Sequence, residues 1–112
     1  MANQPVPIAI SLAQAIKTPL AAGETAASLM GHGSMRLLYY APHGSDAQAP
    51  HRQDELYIVT SGKGTFFCQG RYVPFVGGDV LFAPSGAEHH FEDLSDDFGT
   101  WVIFYGPKGG EQ

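Results

Sequence analysis

The sequence predicts an all-β domain, a sandwich or a barrel. Three observations carry the prediction. Beyond Pro19 no stretch keeps the apolar spacing of a helix. Apolar segments of four to seven residues recur at short intervals instead. The 14 Gly and 8 Pro are scattered, and most fall between those segments, where turns are needed.

In chain order, Pro5 and Pro7 keep the first residues extended. Ser11, with Gln14 three residues on, has the form of a capping box. Leu12, Ala15 and Ile16 then supply one apolar face of a short helix, which Pro19 ends. Strands are expected at 24–30, 35–41, 47–51, 55–60, 64–69, 71–74, 79–83, 89–92 and 99–105. Between them lie turns such as Gly31-His32-Gly33, Pro42-His43-Gly44, Gly77-Gly78 and Pro84-Ser85-Gly86. The chain divides into an arm with the short helix (1–23), the β domain (24–106) and a frayed tail (107–112). No repeat, linker or low-complexity block interrupts it.

Alternation is imperfect in an informative way. In 101–105 and again in 37–40 every residue is apolar or aromatic. Such strands need cover on both faces, from a second sheet, the N-terminal arm or a partner subunit. A homodimer is therefore expected.

A formal charge of −5 with six Lys and Arg excludes a basic nucleic-acid surface and electrostatic docking on anionic lipid. Cys68 is the only cysteine, so there is no intrachain disulfide or Cys-rich zinc motif. The first residues lack the basic start and apolar run of a secretion signal, and no apolar stretch approaches a membrane span. A soluble cytoplasmic protein is the expectation.

The residues that carry chemistry are His51, Glu55 and His89. Residues four apart in one strand lie roughly 13 Å apart and cannot share a metal. The polar Arg52, Gln53 and Asp54 must therefore turn the chain, so that His51 ends one segment and Glu55 begins the next. A third ligand comes from the segment 78–89, where a strand, a Pro-Gly turn and His89 follow one another.

These residues resemble the two motifs of the cupins. In the first motif His51 takes the second His, Glu55 the acid after three residues, and Gly62 the Gly after six more. In the second, Gly78, Pro84, Gly86 and His89 stand at the family's spacing, with Asp93 where Asn is usual. The resemblance covers 49–93 by motif and most of the chain by strand pattern. It implies a double-stranded β-helix (jelly-roll) barrel with a short N-terminal helix. It also implies a divalent metal (iron, manganese, nickel or zinc) on His51, Glu55 and His89, and dioxygenase-like or isomerase-like chemistry on a small organic substrate. One departure matters: Ala49 stands where the first His of the motif belongs. Two outcomes follow. Either a triad of two His and one carboxylate keeps open positions, as in non-haem iron oxygenases, or the lost ligand weakens binding until the barrel is an empty pocket. The alternative function is a non-catalytic small-molecule binding or sensor module. Gln53 and Tyr57 are the nearest residues for a fourth contact or a supporting hydrogen bond. Tyr39, Tyr57, Phe67, Phe82, Phe91 and Trp101 are candidates for an apolar pocket lining.

Other residues have plainer readings. His32, His43 and His90 are expected to be ordinary surface or hydrogen-bonded histidines, with His43 a minor candidate for the gap at Ala49. Cys68 is read as an inert thiol, and Gly62-Lys63-Gly64 as a hairpin turn rather than a phosphate loop. The acidic run 92–97 is read as a solvated loop.

Overall fold

The computed structural model describes residues 6–46 and 48–112. Helix α1 (Leu12–Lys17) starts where Ser11 Oγ accepts the Gln14 N–H at 3.0 Å, and it buries Ala15. Eight strands follow: β1 (Ala27–His32), β2 (Met35–Tyr40), β3 (Asp54–Ser61), β4 (Lys63–Cys68), β5 (Arg71–Val76), β6 (Val80–Ala83), β7 (His89–Glu92) and β8 (Gly99–Tyr105). The strand expected at 47–51 is not one: Ala47 lies outside the described residues and 48–51 form no strand. Pro50 removes a ladder donor there.

All pairing is antiparallel. One sheet has the order β1-β2-β8-β3-β6 and the other β5-β4-β7, the two layers of a jelly roll. The chain passes from β3 into β4 through Gly62 at φ +83°. A Cβ there would lie 2.6 Å from both Phe98 Cα and Ser95 Oγ. Ser95 Oγ accepts the Lys63 N–H at 2.9 Å and the Ser95 carbonyl accepts the Phe98 N–H at 3.1 Å. The corner therefore needs both the left-handed backbone and the empty space that only glycine offers. The acidic loop is packed here rather than simply solvated, since Leu94 and Phe98 are buried. Asp93 sits at φ +53°, a conformation Asn and Asp tolerate best among residues with a side chain.

The inner faces of the sheets hold Tyr57, Val59, Val102 and Phe104 against Phe66, Phe75 and Phe91. Phe91 is fully buried and its ring lies 5.0–5.7 Å from those of Tyr57, Phe66, Phe75 and Phe98. On the outer face, register aligns Met30, Leu37, Ile103, Leu56 and Phe82 across five strands, with Ala27, Tyr39, Trp101, Ile58 and Val80 alongside. The arm supplies part of the cover these strands need: Pro7 to Ile10 line a groove with Met30, Leu37, Ile58, Trp101 and Ile103. No helix among the described residues is long and apolar enough to cross a membrane.

The expected frayed tail is instead tied down. Arg52 O accepts the Gly109 N–H at 2.8 Å, Asp54 Oδ2 accepts the Glu111 N–H at 2.9 Å, and Gly110 is buried. Asp54 Oδ1 also accepts the Ser85 N–H at 2.9 Å. These two backbone donors hold the Asp54 carboxyl below its ordinary 3.8.

Two outcomes follow. Gly62→Ala and Gly70→Ala both force a side chain onto a φ above +80°, but only Gly62 is crowded. Gly70→Ala should cost about 1–2 kcal/mol in denaturant unfolding and Gly62→Ala about 2–5 kcal/mol. Equal losses would show that the corner is not tightly packed. For Asp54, a depressed folded-state pKa means stability that is present above pH 3.8 and lost as pH falls through the folded value. Asp54→Asn should therefore lower the urea midpoint at pH 6, and the gap to the parent should narrow below pH 3.8.

Candidate metal site

His51 precedes β3, Glu55 is the second residue of β3 on its inner face, and His89 opens β7 in the opposite sheet. Three hydrogen bonds bring these segments together. Gly86 N–H donates to His51 O at 2.8 Å, Ser85 Oγ to Arg52 O at 2.6 Å, and Ser85 N–H to Asp54 Oδ1 at 2.9 Å. The Pro84-Ser85-Gly86 turn is thereby stitched onto the turn at 51–54. One ligand atom each from His51, Glu55 and His89 then lie within 4.8 Å of one another.

Glu55 Oε1 lies 3.0 Å from His89 Nε2 and 3.8 Å from His51 Nε2. The side chains of Glu55 and His89 are 3% and 1% exposed, while that of His51 is 37% exposed. Despite their closeness, Glu55 Oε1 and His89 Nε2 lack hydrogen-bond alignment and have no other partner. His89 Nδ1 lies 2.9 Å from the Ala87 carbonyl, which can only accept, so the Nδ1 carries the proton. In the neutral imidazole Nε2 is then a lone pair facing a carboxylate oxygen. Two lone pairs at that distance need a cation between them, a proton or a metal. The donor set fits a divalent ion: nitrogen, oxygen and nitrogen, with one ligand charge.

Burial pulls the His89 pKa down, but the neighbouring Glu55 carboxylate and the Ala87 carbonyl on Nδ1 outweigh it, so the net shift is upward. The His51 pKa is lowered, mainly by burial and only partly offset by Glu55. The two imidazoles thus differ: His51 stays neutral more readily, as a ligand must be.

A cavity of about 820 Å³ opens over this cluster, lined among others by Arg36, Leu38, Tyr40, Gln48, Tyr57, Val102 and Phe104. Tyr57 therefore does face the site; burial, then Glu55, pushes its phenol well above the ordinary range. Gln53 does not. Its amide donates to Ser34 O and Gly106 O at 2.8 and 2.9 Å, on the side away from the cluster. Phe82 is 46% exposed on the outer face, because β6 alternates and turns Leu81 and Ala83 inward. Phe91 lies in the core behind Tyr57 rather than on the cavity wall. Tyr39 and Trp101 meet on the outer face at 5.6 Å, and Phe67 stacks with His90 on the other sheet's outer face at 4.7 Å. His90 pairs with Glu92, so neighbouring histidines point to opposite sides of β7. His43 and Ala49 are exposed at the cavity rim. Burial, then Glu55, raises the Cys68 thiol, which suits an inert residue. Two residues were not anticipated from sequence: Gln48, whose amide reaches His51, and Arg36, whose guanidinium lies 4.7 Å over the Phe104 ring. Neither stands at a motif position. Arg36 is signalled only by alternation with Leu38 and Tyr40 on β2.

Known proteins resemble this chain in sequence and in fold. An uncharacterized protein of Streptomyces coelicolor is 34% identical over 64 residues, 57% of this chain and 61% of that relative. The chain thus spans less than two thirds of the relative's length. A chain from crystal structures of DMSP lyases superposes with a TM-score of 0.59 at 28% identity, over 69% of this chain and 41% of the other. A predicted oxalate decarboxylase of Thermotoga maritima gives 0.51 at 27% identity, over 62% of each chain. A protein of unknown function from Rhizobium leguminosarum matches over 96% of this chain and 100% of its own with a TM-score of 0.70, and at 20% identity it speaks for the fold alone. The model of the cupin domain family matches residues 36–105, and with both motif halves meeting at one point inside the fold, the chain belongs to the cupin family.

Proposed function

We propose that the chain is a metal-dependent enzyme acting on a small organic anion held in the cavity above His51, Glu55 and His89. The observation that carries the reading is the pair of buried, unsatisfied atoms Glu55 Oε1 and His89 Nε2, aimed at a common point. A divalent ion held there would supply Lewis-acid polarisation of a substrate oxygen, or an open position for oxygen chemistry. Dioxygenase-like and isomerase-like reactions both fit that ligand set. The likeness to a lyase and to a predicted decarboxylase supports an enzyme and adds bond cleavage beside a carboxylate.

Among the charged lining groups, Glu24, Asp46, Glu55 and Arg36, one suits an anion. Arg36 lines the cavity, and the ion pairs found among the described residues all involve histidines. Its guanidinium is thus available to a carboxylate, which it can grip with two parallel hydrogen bonds. Leu38, Val102 and Phe104 give apolar walls that limit water. The raised Tyr57 pKa keeps its phenol protonated, a donor rather than a base.

Manganese(II) titrated into metal-free protein should bind at one site. His89→Ala should weaken it about 100-fold or more, because removing one of so few ligands exceeds the usual loss from a supporting group. His90→Ala should bind as the parent does, since His90 faces outward. The reverse pattern would place the metal outside the barrel. In the cobalt(II)-loaded protein, oxalate should perturb the visible spectrum, and Arg36→Met should weaken that response roughly 10- to 100-fold with metal affinity unchanged. Undiminished oxalate binding would remove Arg36 from substrate contact. A loaded barrel that binds carboxylates, diketones or catechols but turns none over would be a binding or sensor module.

A further inference from the structure

The ligand set is one short of the family motif, because Ala49 carries no donor where that motif has a histidine. The residue before it reaches the same place. Gln48 Oε1 lies 3.3 Å from His51 Nε2 and 3.4 Å from Tyr57 Oη. The two ends of this amide can be told apart. Its Nε2 donates to Asp46 Oδ2 at 2.5 Å, and a carboxylate can only accept, so the carbonyl end must face the histidines. Asp46 is itself immobilised. Tyr40 Oη donates to Oδ2 and the Phe91 N–H to Oδ1, both at 2.6 Å. The Asp46 N–H in turn donates to the Phe91 carbonyl at 3.1 Å. The clamp therefore anchors Gln48 to β7, the strand that carries His89.

We propose that Gln48 Oε1 is a fourth protein ligand of the metal, standing in for the missing histidine. The inference rests on the reading of His51, Glu55 and His89 as a metal site. Two donors about 2.1 Å from one ion, at right to tetrahedral angles, are separated by roughly 3.0–3.4 Å. The Glu55–His89 and Gln48–His51 separations of 3.0 and 3.3 Å fall in that range, while Glu55–His51, at 3.8 Å, must close by a few tenths of an ångström around an ion. The charge balance also holds, since a neutral amide oxygen replaces a neutral imidazole and the ligand charge stays at that of Glu55. What changes is hardness. An oxygen donor in place of nitrogen shifts preference toward manganese(II) and iron(II) and away from copper, nickel and zinc. Asp46 acts on the metal as an orienting group, by holding the amide that binds it.

A purely structural Gln48 would only link Asp46 to His51, and two substitutions separate the roles. Gln48→Met keeps the size and removes the oxygen. Gln48→Glu keeps an oxygen donor and loses the N–H bond to Asp46. Manganese(II) affinity, read from the electron paramagnetic resonance signal of the free ion, should fall about 10- to 100-fold in Gln48→Met. In Gln48→Glu it should stay near the parent or tighten. The cobalt(II) absorption of Gln48→Met should shift, while the melting temperature of its metal-free form stays close to the parent. Parent-like affinity in Gln48→Met, or equal weakening in both variants, overturns the fourth ligand while leaving the His51, Glu55 and His89 site standing. A parent protein that binds no manganese(II), iron(II) or cobalt(II) overturns both.

Discussion

A carboxylate on the inner face of a β-barrel needs a positive partner, and at Glu55 this requirement organises one end of the molecule. Its side chain is 3% exposed. Moving an unpaired carboxylate to such a place costs several kcal/mol even after relaxation. Any cation placed there is shared with His89 of the opposite sheet, which is equally buried. The stitching of the 84–86 turn to the 51–54 turn follows from that need. Without it the two sheets would part at this end, and each buried group would face water or nothing.

The same strand sustains both ends of the barrel. Glu55, Tyr57 and Val59 point inward from β3 in succession, each nearly inaccessible, from carboxyl through phenol to aliphatic side chain. β7 mirrors this with His89 followed by Phe91. The polar end meets the cavity, and the apolar end closes on Phe66, Phe75 and Phe98. Tyr57 is the joint between them, with its ring against Phe91 and its hydroxyl toward Gln48. Site geometry and core packing are therefore coupled through two strands. A change at Phe91 would reach the metal end through Tyr57 and through Asp46.

The fold was largely legible because period-2 alternation and turn residues are local signals. The spacing of Gly78, Pro84, Gly86 and His89 reported a strand, a turn and an inward side chain, and the structure has each of them. Strand parity also decides where Phe82 points. If Glu55 faces inward, its partner Ala83 does too, and Phe82 must face out. Gln53 looked close to the site because sequence neighbours of Glu55 seem available, but the turn at 51–54 directs its amide to Ser34 and Gly106. Gln48 was hidden for a different reason. Had 47–51 been a strand, Gln48 and His51 would have pointed to opposite faces. Only an irregular segment allows both to converge, and irregular backbone has no period to read.

The placement of β3 has a further meaning in time. It is flanked by β8 and β6, both encoded well after it, and β8 is the last strand of the chain. The central pairing of the larger sheet thus waits for the C-terminal segment, a non-local contact of the kind that slows β-rich proteins to milliseconds or longer. His51 and Glu55 emerge from synthesis well before His89, so the cluster of three is complete only when both segments have been made. On the proposed reading, metal capture would follow the closing of the two sheets. An ion held between the sheets would be released when they part, so its loss would report that step of unfolding.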